Sequence, residues 1–314
     1  MSVVERAAEI PSPVAAERRP RKRPRFADTW WRHLVALLAI VVSLFPVAYV
    51  LSAAFNGNNS LTGSTLIPKT ISLDNFRALF GHQKAVAGHL TYANAHYGYW
   101  FANSMIVAGA TAIFTVLLSA CAAYAFSRFR FRGRRLGMLT LLLIQMFPQL
   151  LAVVAIYLIV FNVGTVFHFV GLNTLFALIL VYLGGAMGVN TWLMKGFFDT
   201  IPSELDESAR VDGATPAQVF WGVVLPLAAP VLAVIALISF ISTLNEFVIA
   251  SVILETQQRF TLPVGLRQYI DLQYSEHWGP FAAGVLIAAV PAALLFSFLQ
   301  RYIVQGLTQG AVKG

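Results

Sequence analysis

The 314-residue chain is 58% hydrophobic and 11% charged, carries a formal net charge of +8 at pH 7, and has one cysteine. Soluble globular domains hold about a quarter charged residues, so this balance excludes that class. The lone Cys121 excludes an intramolecular disulfide and a cysteine-based metal cluster, and its place inside an apolar run predicts a small buried residue.

In chain order, Met1 to Phe26 is rich in Pro, Arg and Ala and predicts disorder, part of a basic N-terminal segment over residues 1–29. The run Arg18 to Arg25 has the composition of a nucleic-acid patch, but beside a first apolar run it reads as a topological charge, and no nucleic acid is expected as a partner. Ser52-Ala53-Ala54 has the look of a cleavage site, yet the apolar run before it exceeds the roughly 7 to 15 residues of a signal sequence, which predicts an uncleaved anchor.

A helix needs roughly 20 apolar residues to cross a hydrocarbon core about 30 Å thick. Six segments qualify: Trp30 to Phe55, Phe101 to Phe126, Leu136 to Phe161, Leu175 to Met194, Leu225 to Leu254 and Phe281 to Val304. None alternates apolar and polar residues as a barrel strand would, so the predicted class is an all-α polytopic membrane protein, with a six-helix transmembrane domain over 30–304 and a tail over 305–314. The outer segment over 56–100 reads as a small capping subdomain with a short helix at Leu73 to Phe80. A short loop around Gly164 to Asn173 and a longer one over 255–278 follow, and Pro46, Pro148, Pro226, Pro230 and Pro291 permit kinks inside the spans.

Of the 22 lysines and arginines, all but Lys69, Arg77, Lys84, Arg259 and Arg267 fall on one side of this topology. Positive residues concentrate in the cytoplasm, so both termini and the loop over 195–219 are predicted there.

That loop is the most informative stretch. Ser203 is placed to N-cap a short helix carrying Glu204, Asp206 and Glu207 in its first turn, where negative charge suits the helix dipole. Gly213 suits a left-handed stop, and Thr215-Pro216-Ala217-Gln218 follows as a second start, with Thr at N-cap, Pro at N1 and Gln at N3. A polar, capped, acidic helix between two membrane runs needs a partner outside the membrane. A DNA-reading helix-turn-helix has the same outline but requires a soluble domain around it.

No G-x-x-x-x-G-K-[ST] phosphate loop, G-x-S-x-G elbow or H-E-x-x-H helix occurs, so the chain carries no recognisable ATPase, serine-nucleophile or zinc-protease motif. His82, His89 and His96 share a seven-residue spacing, but Gly81, Gly88 and Gly98 argue against a common helix face, and no metal site is expected. Glu246 is the one carboxylate inside a spanning run. Counting about 1.5 Å per residue from Leu225 sets it about 30 Å across, near the outer interface. With Asn245 it reads as a polar gate or interfacial contact, and the alternative is a stand-alone proton-coupled carrier.

The pattern Glu207-x-Ala209-x3-Gly213-x9-Val223-x-Leu225-Pro226 resembles the EAA loop of permease subunits of bacterial ATP-binding-cassette (ABC) importers, with Ser208 in place of the second alanine and Val223 in place of isoleucine. Ala123-Tyr-Ala-Phe-Ser-Arg128, Gln145-Met-Phe-Pro148, Gly171-Leu-Asn-Thr174, Tyr182-Leu-Gly-Gly185, Leu262-Pro-Val-Gly-Leu-Arg-Gln-Tyr269 and Gly306 to Gly314 resemble one branch, the smaller permease of maltose/maltodextrin importers, the MalG type. The resemblance covers nearly all of the chain after residue 60.

It implies a bacterial inner-membrane subunit that pairs with a larger MalF-like permease, a MalK-like ATPase dimer and an extracytoplasmic sugar-binding protein. The chain itself would be no enzyme and bind no cofactor, with ATP and Mg on the ATPase. Glu207, Ala209, Asp212, Gly213, Ala214, Leu225 and Pro226 become ATPase-coupling residues, and Gly265, Leu266, Arg267, Gln268 and Tyr269 the loop that reaches the binding protein. Thr308, Gln309, Gly310, Lys313 and Gly314 become a tail at the ATPase interface. Arg267 stands where an uncharged residue is expected. In that family the larger permease supplies most of the membrane sugar site, so this chain is expected to contribute few sugar ligands.

Overall fold

The computed structural model describes residues 26–57, 70–81, 96–270 and 277–311. Most of the expected disordered segment, His82, His89, Lys313 and Gly314 lie outside them. Among the described residues every named element is a helix, and a single isolated bridge, Asn56 with Ile71, is the one strand-like pairing. The all-α class stands.

The chain divides into Met1–Val47 and Ala48–Gly314. Helix α1, Phe26–Phe55, belongs mostly to the first unit, and its apolar side chains from Trp30 to Val47 are exposed. A helix apolar all round and buried on no side is covered by lipid or by another chain.

In the second unit, α2 (Asp74–Leu79) matches the short helix expected in the outer segment. Asn75 fixes it by donating to the carbonyls of Ala54 at 3.0 Å and Asn56 at 2.8 Å. Next come α3 (Tyr97–Arg128), α4 (Arg134–Gln145), α5 (Gln149–Val166) and α6 (Leu175–Phe198). The cytoplasmic-loop helices are α7 (Ser203–Val211) and α8 (Pro216–Leu227), then α9 (Ala229–Leu244), α10 (Val248–Ile253), α11 (Leu262–Arg267) and α12 (Trp278–Ala311).

Two predicted spans are broken. Leu136 to Phe161 divides at Pro148, which sits in an extended N-cap conformation (φ −62°, ψ 117°) between α4 and α5. Proline has no N–H to continue the ladder and pushes the preceding residue out of the helical region. Leu225 to Leu254 also fails as one rod: α8 and α9 meet at 78°, and α9 stops at Leu244 before the short α10. The straight-helix count that set Glu246 about 30 Å from Leu225 therefore does not hold. Among the described residues, five helices are long and apolar enough to cross a membrane, or six if the bent pair counts as one span. The last candidate span, Trp278–Ile303, ends within a residue of the expected Val304, and α12 continues beyond it as helix to Ala311.

Helices α3 and α6 form the centre. Ala108, Thr111, Ala112, Thr115, Ser119 and Ala123 make a small-residue face on α3 that permits close backbone approach, as membrane bundles require. Three apolar clusters follow from this pair. One joins Trp100, Tyr97, Leu262, Leu266 and Tyr269 with Ala282 and Ala283. Another gathers Leu178, Tyr182 and Ile253, and a third, at the α7–α8 end, gathers Tyr124, Met194, Phe198, Ile201, Val219, Phe220 and Ile235.

Candidate functional site

The helix pair α7–α8 is built by its local sequence. After Val211, Gly213 takes φ +88°, its N–H bonds to the Arg210 carbonyl at 3.0 Å, and the N–H of Ala214 bonds to the Ala209 carbonyl at 2.9 Å. These 5→2 and 6→1 bonds are a Schellman motif, whose left-handed position glycine fills without strain. The chain restarts with a full capping box: Thr215 Oγ1 accepts from the Gln218 N–H and Gln218 Oε1 accepts from the Thr215 N–H, with Pro216 at N1. The predicted Ser203 cap is not formed, because α7 begins one residue earlier in register, with Pro202 as N-cap and no side-chain bond.

Asp206 lies in the first turn as expected, and it is buried at 4% exposure against Arg128, the last residue of α3, with Nε 2.6 Å from Oδ2. Arg128 also donates through Nη2 to the Ile201 carbonyl at 3.0 Å. Beside this pair, Ser127 donates to Asp199 at 2.7 Å and Lys195 forms an ion pair with the same carboxylate. Burial pushes the Asp199 carboxyl up, but bonds from Lys195 and Ser127 and the charges of Lys195 and Arg134 hold it below the usual carboxylate range. Tyr124, packed against the Phe220 ring at 4.9 Å, reaches the Pro216 carbonyl at 3.4 Å. Thus α7 is clamped by one buried face to the ends of α3 and α6.

Its other face is free in this chain. Glu204, Leu205, Glu207, Ser208, Arg210, Val211 and Asp212 are exposed, and Val211 reaches 88%. A valine that exposed on a rigidly held helix, framed by Glu207 and Asp212, has the form of a docking contact. Sequence reading missed Val211, and its apolar character beside the acidic residues was the available signal. Ala209 and Ala214 are half-buried against the third cluster. Leu225 and Pro226 lie at the far end of α8, just before the 78° bend, after a π turn over Phe220–Val224. They belong to the joint with α9 and stand apart from the exposed face.

The stretch Gly265 to Tyr269 behaves differently. Gly265 is buried in α11 so closely to Trp100 that a Cβ would lie 2.1 Å from its ring, and Leu266 and Tyr269 are 5% and 4% exposed. Trp100 cannot yield, because its Nε1 donates to the Gln257 carbonyl at 2.7 Å, while Asn103 donates to the carbonyls of Gln258 and Phe260. Of the five residues expected to reach the binding protein, Gly265, Leu266 and Tyr269 are buried within this chain, and Arg267 and Gln268 keep accessible surface. The Arg267 guanidinium lies 5.2 Å from the Phe247 ring, a cation–π contact that accommodates the unexpected charge.

Glu246 has both oxygens engaged. Oε1 accepts from the Ile249 N–H at 2.8 Å, and Oε2 accepts from the Ala250 N–H at 3.1 Å and from the Tyr182 hydroxyl. It closes the start of α10 and ties it to α6, as a carboxylate at a helix N-terminus does. Asn245 bonds back to its own helix at Ile241. The pair lies at the break between α9 and α10, and Glu246 lines a cavity of about 1370 Å³ with Gln145, Tyr182, Asn190, Ser239 and Thr243. The cavity is lined mostly by apolar side chains, with these polar groups set among them, a grouping that sequence alone did not assemble. Thr308, Gln309 and Gly310 lie on the last turns of α12. Cys121 is exposed within this chain, against expectation.

Residues 115–309 match the family described as binding-protein-dependent transport system inner membrane component. The chain is 42% identical over 283 residues to the maltose/maltodextrin transport system permease protein MalG of Escherichia coli (strain K12), covering 90% of this chain and 95% of that protein. It is 38% identical over 281 residues to the galactooligosaccharides transport system permease protein GanQ of Bacillus subtilis (strain 168), covering 90% and 94%. Among solved structures, it matches a bacterial ABC transporter involved in the import of the acidic polysaccharide alginate, at TM-score 0.71 and 24% identity, over 89% of this chain and 98% of that one.

An all-helical, multi-pass fold of this kind is that of an ABC-importer permease subunit. Within that class, the chain belongs to the binding-protein-dependent inner-membrane-component family, as a permease of the MalG type.

Proposed function

We propose that this chain is one of the two permease subunits of an ABC importer for a maltose-like oligosaccharide. It forms half of the translocation pathway in a bacterial inner membrane, with both termini cytoplasmic. A larger homologous permease completes the pathway, an ATPase dimer carrying ATP and Mg binds the cytoplasmic side, and an extracytoplasmic binding protein delivers the sugar. The observation that carries the reading is the α7–α8 pair: a helix clamped at Asp206 and capped at Gly213, with Glu207, Val211 and Asp212 turned outward. Such a helix transmits a partner's motion, because its buried face moves α3 and α6 with it. The cavity at Gln145, Tyr182, Asn190 and Glu246 is this chain's share of the pathway wall.

The maltose-like sugar rests on relatives near 40% identity, one named for maltose and maltodextrin and one for galactooligosaccharides. Proteoliposomes holding this chain with its permease and ATPase partners test both levels. Uptake of maltodextrins should require internal ATP and binding protein, and galactooligosaccharides should compete weakly. Uptake driven by a proton gradient without the ATPase would establish the secondary-carrier alternative based on Glu246, whose engaged oxygens favour a structural cap.

A further inference from the structure

A cavity of about 790 Å³ opens between α4 and α6, away from the exposed face of α7. It is lined by Arg134 and Arg135, the first residues of α4, by Lys195 in the last turn of α6, and by Leu136, Leu139 and Trp192. Gln145 at the other end of α4 donates to the Gly185 carbonyl at 2.6 Å, so the two helices run antiparallel and the cationic residues gather at one end. From there the wall is apolar, and its side chains are open: Leu136 is 70%, Leu139 49% and Trp192 48% exposed.

The charges are unequally committed. Lys195 is paired with Asp199, which also accepts from Ser127. Among the described residues, the Arg134 and Arg135 side chains form no salt bridge or hydrogen bond, although the charge of Arg134 is felt by Asp199, and the first turn of α4 carries no acid. Two guanidinium groups outside any contact ion pair therefore sit above an exposed apolar wall, with Asp199 shared between Lys195 and the more distant charge of Arg134.

We propose that this cavity binds an anionic phospholipid, its phosphate on Arg134 and Arg135, its acyl chain along Leu136 and Leu139, and Trp192 at headgroup level. A free anion has no use for the apolar wall, and a zwitterionic lipid gains less from three cations that share one carboxylate, Asp199; the arrangement matches the amphipathic, negatively charged ligand on both counts. The inference rests on the membrane-spanning fold and not on the sugar. It sets a lipid against the junction of α3, α4 and α6 that also holds α7.

The test uses the full chain, stripped of lipid in a nonionic detergent and titrated with phosphatidylglycerol or phosphatidylcholine, with bound lipid counted by native mass spectrometry. Phosphatidylglycerol should bind at least tenfold more tightly than phosphatidylcholine, and excess inorganic phosphate should not displace it. Arg134→Gln with Arg135→Gln should weaken binding on the order of 30-fold, about fivefold for each cation, while the double lysine variant keeps most of it. Equal binding of the two lipids, unchanged binding in the glutamine variant, or displacement by phosphate would overturn the proposal. If the glutamine variant does not fold, the unaltered chain still decides: the part of the fluorescence lost in Trp192→Phe should be quenched more by brominated phosphatidylglycerol than by brominated phosphatidylcholine, and equal quenching counts against the site.

Discussion

The two functional stretches marked by motif resemblance, Glu207 to Gly213 and Gly265 to Tyr269, have opposite fates in the fold. Both are short helices closing a connection between spans. In α7 only Asp206 is fully buried, Ala209 is half-buried, and Glu204, Leu205, Glu207 and Val211 face out. In α11 the residues Gly265, Leu266 and then Tyr269 are the core of the outer end, and the accessible surface is left to Arg267 and Gln268. A distinctive motif can therefore mark a packing constraint as readily as a contact, and burial separates the two. At α7, sequence specificity records a surface; at α11, much of it records the room needed by Trp100.

The comparison breaks most visibly at the clamp. Asp206→Ala leaves the Arg128 guanidinium buried without its carboxylate and should cost about 3–5 kcal/mol. Replacing both partners, Arg128→Met with Asp206→Leu, should recover most of that loss, because an apolar pair of similar volume avoids the desolvation of two charges. Thermal melting of the purified chain checks both.

At the outer end, Gly265→Ala should lower stability by about 1–3 kcal/mol, since its methyl overlaps a ring held by the Gln257 carbonyl. Hydrogen exchange should report the loss around α11 and α12 and leave α7 protected as before. Replacing Gly265 to Tyr269 wholesale by Ser and Gly is accordingly expected to unfold the outer end.

Gly213→Val meets no neighbouring atom but must adopt φ +88°, a cost of about 1–2 kcal/mol that falls on the aim of α7. Gly213→Asn should cost clearly less, because asparagine tolerates the left-handed region.

A smaller effect distinguishes the two ends by pH. Burial lowers the pKa of the His277 imidazole, and the residue's backbone N–H donates to the Tyr269 carbonyl at 3.0 Å. The neutral form is favoured in the fold, so its contribution is complete above the ordinary value of 6.5 and is lost as pH falls from there through the depressed value. Acidification below about 6.5 should loosen the outer end before the α7 end, and His277→Gln should remove that difference in hydrogen exchange.

Much of the fold was legible because its signals are local. Apolar length gave the spans, and Gly213 with Thr215-Pro216-Ala217-Gln218 gave the turn and second cap to the residue. What escaped was tertiary. The 78° bend before α9 and the break at Pro148 depend on which prolines have neighbours to satisfy freed carbonyls, and proline alone marks a permission to bend. The Arg128–Asp206 pair joins residues far apart in sequence, and the burial of Gly265 depends on the position of Trp100, so neither can be read from spacing.

The central claim is that the exposed face of α7 seats the ATPase while its buried face moves the spans. Glu207→Ala combined with Val211→Asp alters that face and touches neither the Arg128–Asp206 clamp nor the Gly213 turn, so the melting temperature should hold. Binding of the purified ATPase to the reconstituted permease pair is the direct measurement. Affinity should fall at least tenfold, with ATP-driven uptake falling in step. Unchanged ATPase affinity in a variant of unchanged stability would contradict the assignment of α7 as the coupling surface.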